Sequence, residues 1–339
     1  MVKRPTIADI ASQAGVSTGA VSYALNGRPG VSTATRDKIL AIAEEIGWRP
    51  SLAARSLTGA RVNAVGLIIP RPARVLGMEP FFMQFISGVE SVLSANRTAL
   101  LLQVVPDHDA ADEAVRFWWA ERRIDGILVT DLWAQDQRPE LLAQLGVPGV
   151  IIGRPRDGLD LPAVWSDDAT AVESVVDYLV TIGHRRIARV AGLPSLEHTQ
   201  IRTAAFRAAA ERHGLESAPV ISTDYTWEEG AQATRRLLTT ADRPTAITYD
   251  NDLMAVAALS VAHELAISVP GQLSIVAGDD SQLCLVQHPS ITALARDIVD
   301  YGARAAQAML DLVEDGQTTS HQVPTAALVP RASTSAAPV

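Results

Sequence analysis

From Val62 onward, short apolar runs alternate with longer stretches whose apolar positions recur every three to four residues. The short runs predict strands at Ala64–Ile69, Ala99–Val105, Gly126–Thr130, Gly149–Ile152, Ile187–Val190, Ala246–Tyr249 and Leu273–Ala277. The longer stretches predict helices at Phe82–Ala95, Ala110–Arg122, Ala169–Ile182, Ile201–His213, Trp227–Thr239 and Leu253–Glu264. Strand and helix in turn indicate parallel α/β layers, whose ligands gather beyond the carboxyl ends of the strands.

The first sixty residues show helical periodicity only. Thr6 is placed to cap a first helix with Asp9 three residues on, and Ile7, Ile10, Ala11 and Ala14 form its apolar face. Gly15 permits a left-handed turn, and Ser17 caps a second helix whose Val21 and Leu25 pack back on the first. A third helix runs from Ser32 towards Gly47 with Ile39, Ile42 and Ile46 inward. Helix, tight turn and helix is the geometry of a reader whose second helix enters the DNA major groove. Its outward residues are Thr18, Gly19, Ser22 and Tyr23, of which Thr18 and Tyr23 can meet base edges. The hydroxyls of Thr6, Ser17 and Ser22, together with Asn26, suit phosphate contacts.

Charge supports that division. Residues 1–61 hold eight Lys and Arg against four acids, a net +4, so the remainder carries −13 of the chain's −9. A basic head suits a phosphate backbone, and an acidic body limits non-specific adhesion. At 339 residues and 47% apolar composition the chain is long enough for two to three domains with real cores. The single cysteine, Cys284, leaves no internal disulfide or multi-cysteine metal site. No apolar run approaches membrane-spanning length, and Met-Val-Lys-Arg-Pro lacks the apolar core of a secretory signal, so a cytoplasmic protein is expected.

After the third helix comes Gly47-Trp-Arg-Pro-Ser-Leu-Ala-Ala-Arg-Ser-Leu-Thr-Gly59. Pro50 breaks the helix, Ser51 caps a short new one and Gly59 can end it. Two turns are too few to be stable alone, so this helix should order against a partner helix and DNA. Leu57 would then be a minor-groove wedge; an ordinary linker is the alternative.

These residues carry a resemblance. Thr6-Ile-Ala-Asp-Ile-Ala, Ala14-Gly-Val-Ser, Val21-Ser-Tyr-Ala-Leu-Asn and Trp48-Arg-Pro-Ser, with Ala54-Arg-Ser-Leu57, are similar to the LacI/GalR family of bacterial transcription regulators. Blocks in the body extend it: Ala64-Val-Gly-Leu-Ile-Ile-Pro70, Pro80-Phe-Phe82, Ile182-Gly-His-Arg-Arg-Ile-Ala188, Asn251-Asp-Leu-Met-Ala255 and Arg331-Ala-Ser-Thr334. The resemblance implies an all-α helix-turn-helix head over 1–49, a hinge helix and linker over 50–61, and an α/β periplasmic-binding-protein-like core over 62–339. Two doubly wound subdomains are implied, approximately 62–161 with 292–325 and 162–291 with 326–339. It makes Ala54, Arg55 and Leu57 DNA contacts, with Leu57 intercalating, and lets Thr18, Gly19 and Tyr23 set operator sequence. Many relatives carry arginine at the position of Tyr23, so a familiar operator does not transfer.

For the effector, the resemblance implies Phe81, Phe82, Arg154, Arg202, Tyr225, Asn251 and Asp279 in a cleft between the subdomains. The chemistry agrees: Arg202, Asp279 and Asn251 can donate to and accept from hydroxyls, while Phe82, Tyr225 or Trp133 can lie against an apolar sugar or base face. A surface ion pair of Arg202 with Asp279 is the plainer alternative, and Trp133 suits either pocket or surface. No Gly-x-Ser-x-Gly elbow, phosphate loop or His-Glu-x-x-His helix marks an enzyme, although the acidic pairs Asp167-Asp168 and Asp279-Asp280 leave a hydrolase open. A ligand-responsive repressor follows, with no cofactor and no metal, acting as a homodimer on a pseudo-palindromic double-stranded operator. Its effector would be a sugar, with a nucleoside or purine as the alternative.

Overall fold

The computed structural model describes residues 5–48, 61–72, 76–77 and 79–338. Ala54, Arg55 and Leu57, with nearly all of the expected hinge, lie outside these residues. Two compact units result, Met1–Val62 and Asn63–Val339.

In the first unit α1 (Ile7–Ala14), α2 (Thr18–Leu25) and α3 (Thr33–Glu45) enclose a small core. Ile10, Val21 and Ile39, one from each helix, are fully buried at its centre. Thr6 and Asp9 form a reciprocal capping box, which typically contributes about 1 kcal/mol. Gly15 ends α1 at φ 71°, a conformation that costs glycine least, and the Lys38 ammonium donates to the freed Ala14 carbonyl at 2.9 Å.

The second unit continues as β1 (Ala64–Pro70), α4 (Pro80–Ala95), β2 (Ala99–Val105), α5 (His108–Ala120), β3 (Gly126–Val129), α6 (Arg138–Leu145), β4 (Gly149–Ile152) and β5 (Ala163–Trp165). It then runs through α7 (Asp168–Thr181), β6 (Ile187–Ala191), α8 (Glu197–Arg212), β7 (Val220–Ser222), α9 (Trp227–Leu238), β8 (Ala246–Tyr249), α10 (Asp252–Glu264) and β9 (Ser274–Ala277). It closes with α11 (Gln282–Val286), β10 (Thr292–Ala295), α12 (Ile298–Asp315), β11 (His321–Gln322) and β12 (Ala327–Val329).

These strands form two six-stranded sheets, ordered β11-β5-β4-β3-β1-β2 and β12-β10-β9-β8-β6-β7. All pairings are parallel except β10 with β12. Both faces of each sheet are covered, which is why the central strands read as unbroken apolar runs. In the first sheet Val65, Leu67 and Ile69 point to α4 and α12, while Ile68, Ile127 and Val129 point to α5 and α6. Helices α4 and α12 cross so closely that a β-carbon on Gly88 would stand 2.0 Å from the Val299 carbonyl oxygen.

The sheets relocate the expected crossings between subdomains. Ala163–Trp165 pairs with β4, so the chain leaves the first sheet after Trp165 rather than at residue 161. Thr292–Ala295 pairs in parallel with β9, so it belongs to the second sheet and not, as the division at residue 292 had it, to the first. The third crossing lies between β11 and β12. No helix among the described residues is long and apolar enough to cross a membrane.

Candidate functional site

In the head, Ser17 caps α2 by accepting from the Ala20 amide at 3.1 Å. Capping directs the first turn of the helix outward. Thr18, Gly19 and Tyr23 are exposed, Tyr23 by 46%, and Ser22 is half-buried. Asn26 donates to the Ser22 carbonyl at 2.9 Å, which fixes its amide at the end of the same helix. Thr6 is exposed, but its hydroxyl already bonds Asp9 at 2.6 Å. The expected DNA-contacting side chains of α2 therefore occupy one short helix with its charged and hydroxylated surroundings.

In the core, the strand ends converge on a cleft between the two sheets with about 1030 Å³ of empty space, its open mouth included. Arg71 follows β1, Asp131 lies two residues beyond β3, Arg154 beyond β4, Asp250 follows β8, Asp279 lies beyond β9 and Arg296 follows β10. This is the place where open α/β sheets take ligands. Phe81, Phe82, Arg154, Arg202, Tyr225, Asn251 and Asp279 all line it.

Trp133 does not. Its neighbour Leu132 turns inward and lines the cleft, so in this extended segment Trp133 points the other way, 39% exposed, with its ring 3.7 Å from that of His108. Its backbone instead bridges to Leu196 across the subdomains. The Arg202–Asp279 pair is also replaced. Arg202 donates Nε and Nη2 to Asp168 Oδ1 at 3.0 and 2.8 Å, and Asp279 has Arg296 at 3.6 Å. Of each acidic pair only one member faces the cleft: Asp167 caps α7, and Asp280 holds Arg331.

Arg71 organises the first wall. It donates to Asp131 at 2.5 and 3.0 Å and to Glu79 at 3.2 Å, and its guanidinium stands 4.7 Å from the centre of the Tyr225 ring. Burial pushes the Glu79 carboxyl up to about 7 against the pull of Arg71. Asn251 donates to Glu79 at 3.4 Å and to the Tyr225 carbonyl at 3.0 Å, linking the two walls. Opposite, burial would raise the Asp168 carboxyl, but Arg202 and Arg296 outweigh it and bring it down to about 2. Burial, then Arg202, hold His198 down to about 4, so the imidazole is neutral and bonds the Tyr225 hydroxyl at 2.8 Å. Beneath them Arg189 is ion-paired with Asp250, which also accepts from the Gly192 amide at 2.7 Å.

Arg71, Glu79, Asp131, Asp168, Asp252 and Arg296 were not anticipated. Arg71 and Asp131 carry a signal, since each falls just past a predicted strand. Arg296 carried none, because β10 was not read as a strand.

Comparison with known proteins follows the same division. Residues 6–51 match the family described as bacterial regulatory proteins, lacI family, and residues 176–334 match the periplasmic binding protein-like domain. The chain is 31% identical over 324 residues to the HTH-type transcriptional regulator CelR of Thermobifida fusca, covering 94% of each. A solved complex of transcriptional regulator CelR with cellobiose superposes with TM-score 0.73 at 29% identity, over 97% of this chain and all of that one. The lac repressor dimer bound to operator and an anti-inducer gives 0.84 at 25% identity, over 98% of this chain and all of that one.

Proposed function

This chain belongs to the lacI family of bacterial regulatory proteins, and from that premise we propose that its cleft is the effector site of a repressor of carbohydrate-utilisation genes. The protein is a ligand-responsive, DNA-binding transcriptional regulator. Its effector is a sugar, held by Arg202, Asn251 and Asp279 with Tyr225 and Phe82 against its apolar face. Helix α2 reads base edges through Thr18 and Tyr23, with Ser17, Ser22 and Asn26 near phosphates. Two copies bind a pseudo-palindrome. The lac repressor neighbour is a dimer on its operator, and Met83, Leu285 and Val286 expose apolar surface here that a partner would cover.

The observation that carries the reading is the cleft itself, lined from both sheets by charged donors and acceptors beside aromatic rings. A ligand touching both walls favours one arrangement of the subdomains, and by linkage operator DNA alters ligand affinity by the same factor. Selection of duplexes from genomic fragments by the purified protein, at stated salt, tests it. A shared pseudo-palindrome is expected, and its absence in both the presence and absence of a sugar mixture would contradict operator reading.

A further inference from the structure

Charge pairing around the cleft narrows what it can hold. Among the described residues the lining carries seven carboxylates and four guanidiniums. Most of these charges are matched within the protein: Asp131 by Arg71, Asp168 by Arg202, Asp250 by the buried Arg189, and Glu197 by Arg156 at 3.5 Å. Three carboxylates are left short. Glu79 shares Arg71 with Asp131, Asp279 shares Arg296 with Asp168 at 3.6 Å, and Asp252 has no ion pair within 4.0 Å. Asp252 is 2% exposed, and its Oδ2 is buried without any hydrogen-bond partner.

These three face one another across the subdomains, Glu79 from the first and Asp252 and Asp279 from the second. Burial, followed for Asp252 by the nearby Asp279 charge, pushes Asp252 up to about 6, and the same neighbour adds to the rise at Glu79. Buried like charges lacking donors are costly until something supplies hydrogens to them. A metal ion does not fit, because no three His, Cys, Asp or Glu side chains among the described residues are grouped to hold one. On the cationic side only Arg154 makes no ion pair, and it stands over the Trp165 ring at 5.8 Å.

We propose that the effector presents hydroxyl or ammonium donors to Glu79, Asp252 and Asp279 and carries no phosphate or carboxylate group. The inference rests on the reading of the cleft as the effector site. A neutral or amino sugar completes the unmatched carboxylates, whereas a sugar phosphate or uronic acid adds negative charge to a wall already in excess. In the empty protein these carboxylates cost stability that a ligand recovers, a common trade at binding sites.

The test has two arms on the full chain. In the first, thermal shift and calorimetry compare glucose, galactose and cellobiose with matched 6-phosphates, uronic acids and 2-amino derivatives. Any sugar that binds is expected from the neutral or amino sets, with at least tenfold weaker binding of its anionic derivative. An anionic derivative binding as tightly as its parent would overturn the inference while leaving the effector-site reading intact. If no sugar of any charge binds but a nucleoside does, the sugar reading itself fails. The second arm needs no ligand. At pH 8, Asp252→Asn and Asp279→Asn should each raise the unfolding midpoint of the empty core by about 2 °C or more. A lowered midpoint in both would show that the carboxylates are satisfied within the protein, and would overturn the inference whatever the panel gives.

Discussion

Arg71, just past the first strand of one sheet, lies over the ring of Tyr225, just past the β7 strand of the other, with 4.7 Å between guanidinium carbon and ring centre. One side chain thus joins the walls of the cleft while pairing with Asp131 and Glu79 behind it. A ligand entering between Phe82 and Tyr225 meets this contact directly, so ligand binding and subdomain arrangement share a residue.

Arg71→Ala should therefore destabilise the core strongly. It leaves Asp131 and Glu79 buried without their cation, a change that typically costs about 3–5 kcal/mol, whereas Arg71→Lys should recover part of the charge but not the fork. Calorimetry that follows the core transition separately from the head measures this. A midpoint within a degree of the unaltered protein would contradict it.

The second prediction concerns pH. The Glu79 carboxyl is raised from its ordinary value near 4.5 to about 7, so between those values the folded chain holds more protons than the unfolded one. Its contribution makes stability fall as pH rises through that window. His198, brought down from 6.5 to about 4, acts in the opposite sense, which is why a difference measurement is needed. The midpoint of Glu79→Gln minus that of the unaltered chain should grow steadily from pH 5 to pH 8. A pH-independent difference would remove Glu79 from the account.

Tyr23 supplies the third. Its exposed ring and hydroxyl on α2 should set one or two operator positions, so Tyr23→Ala should lose about 1–3 kcal/mol of discrimination there while binding other sequences nearly as before. Repeating the duplex selection with this variant reads out the change directly. An unaltered consensus would take Tyr23 out of base readout.

Much of this architecture is legible in the sequence, for physical reasons that also explain the gaps. Strands β1, β3, β4, β6, β8 and β9 are buried on both faces and announce themselves as apolar runs. The strands not foreseen, β5, β7, β10, β11 and β12, have two to four residues each, too few to show a period. Missing β10 displaced a subdomain crossing and hid Arg296. Helix α12 was also unread, although Ile298, Ala305 and Met309 form a buried stripe on it.

At the site, the residues foreseen came from family-like blocks, and all but Trp133 reach the cleft. The ion-pair network was out of reach because its partners are distant in the chain, Arg71 from Asp131 by 60 residues and Arg202 from Asp168 by 34. Periodicity reports which side chains are buried, but pairing depends on which strand ends the topology brings together.

The most direct test of the account is the ratio of operator affinities with and without sugar, measured by fluorescence anisotropy on a selected duplex. Arg202, held by Asp168 inside the cleft, should be essential to that ratio. For the unaltered protein at least one neutral or amino sugar of the panel should change operator affinity tenfold or more, and in Arg202→Ala the ratio should fall to near one. A ratio near one for every sugar in the unaltered protein, or an undiminished ratio in the variant, would contradict the account.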